Sequence, residues 1–131
     1  MTIELKLNET IQEVKNAFSA YFPYLSLEFY NQKHTAGEGS DAAKINHQQS
    51  LESLIQQEGF LHITPDMKVS EFEQMCANQF GLFVQVFRKS GKLWLQTIRT
   101  DHWTLVAQNE EGRAMCEDVN GDEIEDYHEQ E

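Results

Sequence analysis

The feature that most constrains this chain is that it repeats its own pattern. Leu5, Asn8, Ile11, Val14, Phe18 and Phe22 recur 58 residues later as Ile63, Asp66, Val69, Phe72, Cys76 and Phe80. Dropping one residue at the Pro23/Gly81 turn then pairs Leu25, Leu27 and Phe29 with Leu82, Val84 and Val86. Apolar residues three to four apart define one face of a helix. Apolar residues that alternate with polar ones define a half-buried strand. Each copy, 3–30 and 61–88, therefore reads strand, helix, strand.

The local signals agree with that reading. Asn8 or Thr10, and Asp66 or Ser70, are capping residues near the helix starts, and Glu9, Glu13, Glu71 and Glu73 suit the positive end of a helix dipole. Pro23 and Gly81 stop the helices. The run from Leu82 to Phe87 is more apolar than its counterpart, which predicts a more central strand. Ser90-Gly91 predicts a hairpin into a strand over 93–98. Thr104 is placed to cap a last helix from about Leu105, with Gly112 as its stop. Between the copies, 33–50 is polar and carries Gly37-Glu38-Gly39-Ser40, the pattern of a long mobile loop. It lacks the Gly-Lys-Ser/Thr ending of a phosphate loop. Leu51, Leu54 and Ile55 suggest a short amphipathic helix, and Phe60–Ile63 a further strand. The expected fold is α+β: one domain over 1–112, a mixed sheet of about five strands with helices on one face, and right-handed crossovers wherever its strands run parallel.

Two resemblances bear on this. The helix starts, Asn8-x-Thr10-Ile11-x-x-Val14-Lys15 and Asp66-x-x-Val69-x-x-Phe72, are similar to that of ubiquitin-like β-grasp domains, although only one strand precedes the first helix. The stretch from Phe80 to Gly112 contains Gly81-Leu82-Phe83-Val84-Gln85-Val86-Phe87-Arg88-Lys89-Ser90-Gly91, Thr100-Asp101-His102-Trp103-Thr104-Leu105 and Gln108-Asn109-Glu110-Glu111-Gly112. It resembles a family of small uncharacterised bacterial α+β proteins that carry the same three blocks, and Phe22-Pro23-Tyr24-Leu25 and Glu28-Phe29 fit that family's first half. The resemblance covers most of 1–112 and implies no activity, cofactor or catalytic residue.

Length and charge narrow the function. A chain of 131 residues is the size of one domain and builds a core without a metal or a disulfide. Residues 1–100 hold eleven acids and nine bases, whereas 101–131 hold eleven acids and Arg113 alone. The net charge of −12 thus sits mostly in the C-terminal segment, and 113–131 reads as an acidic, flexible tail. The balance argues against nucleic acid or an anionic membrane as partner, since phosphates require a basic face. Cys76 and Cys116 lack metal or redox spacing and read as free thiols, which with no signal peptide makes a cytoplasmic location the expectation.

No catalytic constellation is recognisable, and no cofactor motif or metal-ligand spacing is present. Asp101-His102 is an acid–imidazole pair without a nucleophile motif. Asp118-x-Asn120-x-Asp122 partly matches a calcium loop, but Glu123 replaces the glycine that its sharp turn requires. The strongest surface candidate is Arg88, Lys89, Lys92, Trp94, Arg99, Asp101, His102 and Trp103, because Arg and Trp anchor protein interfaces. The expected function is therefore a protein-interaction module, engaging another protein or a second copy of itself. The alternative is a small-ligand binder or enzyme, with its site between the sheet and the 33–50 loop or near Asp101-His102.

Overall fold

A computed structural model describes residues 1–30 and 45–117. The strands are β1 (Thr2–Leu5), β2 (Leu25–Tyr30), β3 (Gly59–His62), β4 (Phe83–Ser90) and β5 (Leu93–Gln96). The helices are α1 (Ile11–Tyr21), α2 (Val69–Phe80) and α3 (Leu105–Glu117), with one 3-10 turn at Leu51–Ser53. The result is a small single-domain α+β fold.

The single mixed sheet is corrected to two antiparallel ones. β1 pairs with β3, and β2, β4 and β5 form the second sheet in that order. No parallel pair is present among the described strands, so the expected crossovers do not arise. The β-grasp likeness finds no support, because the strand before α1 pairs with β3, more than fifty residues on, and not within a hairpin. Alternation had placed each side chain on a face; it carries no information about which strand lies alongside.

The expected central strand is central: β4 lies between β2 and β5. Directly opposed residues in antiparallel strands share a face. Leu25, Leu27 and Phe29 therefore share one with Arg88, Val86 and Val84, and the hydrophobic members of this set are buried. The helices bring Ile11, Val14 and Phe18 from α1, Val69, Phe72 and Cys76 from α2, and Leu105 from α3 into the same core. The Phe18 ring lies 5.2 Å from that of Phe72 and 5.3 Å from that of Phe22.

Helices α1 and α2 begin in the same way. At α1, Ile11 N donates to Gln49 O and Gln12 N to His47 O; at α2, Val69 N donates to Trp103 O and Ser70 N to Asp101 O. In return, Leu51 N and Glu52 N donate to Glu9 O and Leu7 O, and Leu105 N and Val106 N donate to Met67 O and Pro65 O. Thr10 caps α1 by accepting from Glu13 N, while the Glu13 carboxylate accepts from Thr10 N. At α2 the cap residue is Lys68, whose N–H donates to Glu71. Thr104 caps α3 as expected, its hydroxyl accepting from Ala107 N.

Gly112 does not stop α3. The helix runs five residues further, into what reads from sequence as tail, and Gly112 faces inward instead. A Cβ there would lie 2.8 Å from Tyr24 Cβ and 3.2 Å from Arg88 Cγ, so the missing side chain lets α3 close on β4. Gly81, by contrast, ends α2 in a left-handed conformation at φ 70°. The returning part of the loop is also placed: Ile45 is buried and its N–H donates to Phe29 O. Residues 33–44 of the expected loop, and 118–131 of the expected tail with its calcium-like pattern, lie outside the described residues. Among the described residues no helix is long and apolar enough to cross a membrane.

Candidate interaction site

The hairpin residues form where the sequence places them. Gly91 turns the chain at φ 62°. β5 then returns antiparallel to β4, opposing Lys89 with Trp94 and Ser90 with Leu93. Leu95 is buried on the helix side, so alternation carries Trp94 to the other face. Trp94 is 44% exposed there, with Lys89 Nζ 5.4 Å from the ring centroid. A cation over an indole face is attracted by the ring quadrupole. Lys92 is exposed at the turn.

Among the described residues, the edges of β1 and β2 and the end of β4 are met by side chains or returning chain. The Tyr21 hydroxyl accepts from Thr2 N and donates to Thr2 O, covering β1. Ser19 Oγ donates to Leu25 O and Ile45 N to Phe29 O along β2. Where β4 extends past β5, Glu73 accepts from Val86 N, and Thr97 donates to Val86 O. Among the described residues, no backbone bond is made from the outer edge of β5. An edge of this kind is a template for another strand.

The remaining candidates do not all join this face. Arg88 is 2% exposed. Its Nη1 donates to Gln108 Oε1 at 2.9 Å, and its guanidinium carbon stands 5.7 Å from the Trp103 ring centroid. Gln108 Nε2 in turn donates to Thr100 O and Oγ1, both at 2.8 Å. Arg88 and Trp103 thus tie β4 to α3 and to the segment before it. Arg99 and His102 are exposed, and Asp101 is half-buried. No hydrogen bond joins the Asp101 carboxylate to His102 among the described residues. His102, Trp103, Ala107 and Glu111 line an open groove of about 690 Å³ beside α3. The eight residues therefore divide into a hairpin face (Lys89, Lys92, Trp94), a buried tie (Arg88 with Trp103) and a separate rim around Asp101 and His102, with Arg99 exposed nearby in the chain.

Two polar clusters escape a reading of the sequence. On α1, the 8%-exposed Lys15 places its Nζ 3.0 Å from Glu28 Oε2 and 3.2 Å from His47 Nε2, and His47 Nε2 lies 3.2 Å from Glu28 Oε1. Burial works to raise the Glu28 carboxyl, but the bonds and charges of Lys15 and His47 outweigh it and hold it below its ordinary value. On α2, burial pushes the Glu73 carboxyl up to about 8, against the opposing effect of the Val86 N–H and with a further push from Asp101. Burial, aided by Glu73, likewise raises the thiol of Cys76. Only helical spacing beside Val14 and Phe72 pointed to Lys15 and Glu73; their partners are distant in sequence. Cys76 and Cys116 are free, and no group of three metal-ligating side chains occurs among the described residues.

Comparison with known proteins places no relative beside this geometry: no family model, no curated protein and no solved structure matches the chain.

Proposed function

We propose that the protein is a non-enzymatic interaction module that takes an extended, acidic segment of a partner protein along the outer edge of β5. The observation that carries this reading is a strand edge that makes no backbone bond among the described residues, beside an exposed Trp94 with Lys89 over its ring. An added strand would receive main-chain hydrogen bonds from the edge, stack an apolar side chain on Trp94, and set its acids against Lys89 and Lys92. Arg88 supports this face from within, by fixing β4 against α3. The net charge of −12 is the wrong sign for nucleic acid or an anionic membrane as the natural partner. The free thiols fit a reducing, cytoplasmic setting.

The repeated pattern belongs to the same proposal. We read the two strand–helix–strand units as copies of one unit. The matching pairs of bonds at the starts of α1 and α2 support that reading.

The test is selection from a displayed random-peptide library against the immobilised full chain. Recovered peptides should be enriched in Asp and Glu around an apolar residue. Binding should fall at least tenfold in Trp94→Ala and in Lys92→Glu while thermal unfolding stays unchanged. Peptides without acidic enrichment, or binding indifferent to both substitutions, would sink the proposal.

A further inference from the structure

We infer that β3 is a second docking edge, and that its occupant is β3 of a second copy of this chain. The two strands pair antiparallel about a two-fold axis at Leu61, joining two two-stranded sheets into one of four strands. The inference rests on reading the two strand–helix–strand units as copies of one unit, and it is independent of the β5 edge.

Three observations carry it. The first is that β3 is open where its counterpart is closed. Ile63 N donates to Met1 O at 2.7 Å, and Met1 N to Ile63 O at 3.0 Å. Bonded pairs alternate along an antiparallel ladder. Leu61 therefore bonds toward β1, while the N–H and C=O groups of Phe60 and His62 point to the outer edge. By the 58-residue offset, Phe60 matches Thr2 and Gln79 matches Tyr21. The Tyr21 hydroxyl closes the β1 edge at Thr2. Gln79 is exposed, and no hydrogen bond meets the outward groups of β3 among the described residues.

The second is chemistry. Gly59-Phe60-Leu61-His62 carries no Lys, Arg, Asp, Glu or Pro, the residues that protect an edge from pairing. Phe60 is 50% exposed, and its ring stacks on His62 with centroids 6.3 Å apart. An uncharged edge offers no counter-charge to an acidic or basic segment, whereas its own copy matches it. The third is self-recognition. Ile3 matches Leu61 by the same offset, and the two oppose each other in the β1–β3 ladder, flanked by Thr2 against His62 and Glu4 against Phe60. A strand of this unit thus already pairs antiparallel with its own counterpart, symmetrically about the matched pair. A β3–β3 ladder repeats that geometry, with Phe60 of each copy opposite His62 of the other. It makes four main-chain hydrogen bonds and gathers four rings on one face. A contact this small lies below the roughly 1,200 Å² of stable complexes, so the dimer is weak, with a dissociation constant on the order of 100 μM.

The experiment is sedimentation of the full chain from about 0.02 to about 1 mM, a range that brackets the expected midpoint. The mean mass should rise toward that of two chains. Over the same range the Phe60 and His62 amides should exchange with solvent at least about threefold more slowly. The net charge of −12 opposes association and is screened by salt, so about 0.5 M NaCl should tighten the dimer. Phe60→Lys and His62→Glu each put a charge on the edge. Both side chains are exposed, so thermal unfolding should stay unchanged while self-association weakens at least tenfold. Mixing the two variants should restore it, because the register sets the new lysine of one against the new glutamate of the other. A mass that stays constant over the whole range would overturn the inference. So would a dimer that persists in both variants, a mixture that stays monomeric, or a dimer lost in Trp94→Ala, which would put the contact on β5.

Discussion

Arg88 and Gln108 meet at 2.9 Å inside the protein, a charged hydrogen bond that joins the central strand to the last helix. Gln108 is 0% exposed and holds Thr100 with its other end. Hydrogen bonds to a charged group are worth more than neutral ones. Gln108→Ala should therefore destabilise the protein by about 2–3 kcal/mol. Urea unfolding should show a lower midpoint at unchanged slope. A loss below about 0.5 kcal/mol, the size of an ordinary surface change, would show that the tie contributes little.

Gly112→Ala sets two effects against each other. Alanine is the better helix former by about 1 kcal/mol. Its Cβ would stand 2.8 Å from Tyr24 Cβ and 3.2 Å from Tyr24 O, which includes backbone that cannot swing aside. Overpacking at such a site costs about 1–3 kcal/mol. The net should be a lower melting temperature. A rise would mean that α3 shifts outward freely.

Glu73 makes stability depend on pH in an unusual direction. Its folded value of about 8 lies above the ordinary carboxylate value, so between the two the folded chain binds more protons than the unfolded one. Stability from this group is complete below the ordinary carboxylate value and is lost as pH rises toward 8, by up to about 1.4 kcal/mol per pH unit. Urea unfolding at pH 5, 6, 7 and 8 should follow that slope. Glu73→Gln should flatten it and be the more stable chain at pH 8. Equal slopes in the two chains would refute the assignment.

Lys15 and Glu28 should depend on one another. Removing one partner of a largely buried ion pair costs about 3–5 kcal/mol, whereas removing both with apolar or neutral replacements costs far less. Lys15→Met, Glu28→Gln and the double variant form the cycle. Coupling of about 1–3 kcal/mol is expected. Additive effects would show that the 3.0 Å contact adds nothing to stability.

Much of this architecture was legible from local pattern. Thr104 announced α3 and Ser90-Gly91 the hairpin, because caps and turns are decided by the residues that form them. The inward turn of Arg88 was legible too. It stands two and four residues from Val86 and Val84, on the parity that faces the core, yet its charge drew it into the surface set. The role of Gly112 was not legible, since it depends on Tyr24, a residue in the first third of the chain. The β1–β3 pairing and the Lys15–Glu28–His47 cluster were hidden for the same reason. Spacing reports the face of an element, while these contacts depend on what that face meets.

The pairing of β1 with β3 and of β2 with β4 has a consequence for synthesis. A nascent chain that has made α1 and β2 still lacks the strand partner that either sheet requires. Ile3 and Leu5 wait for Leu61 and Gly59, and Leu27 waits for Val86. Apolar strands left waiting on the ribosome are the segments that aggregate. For this protein, that window closes only when β4 has emerged.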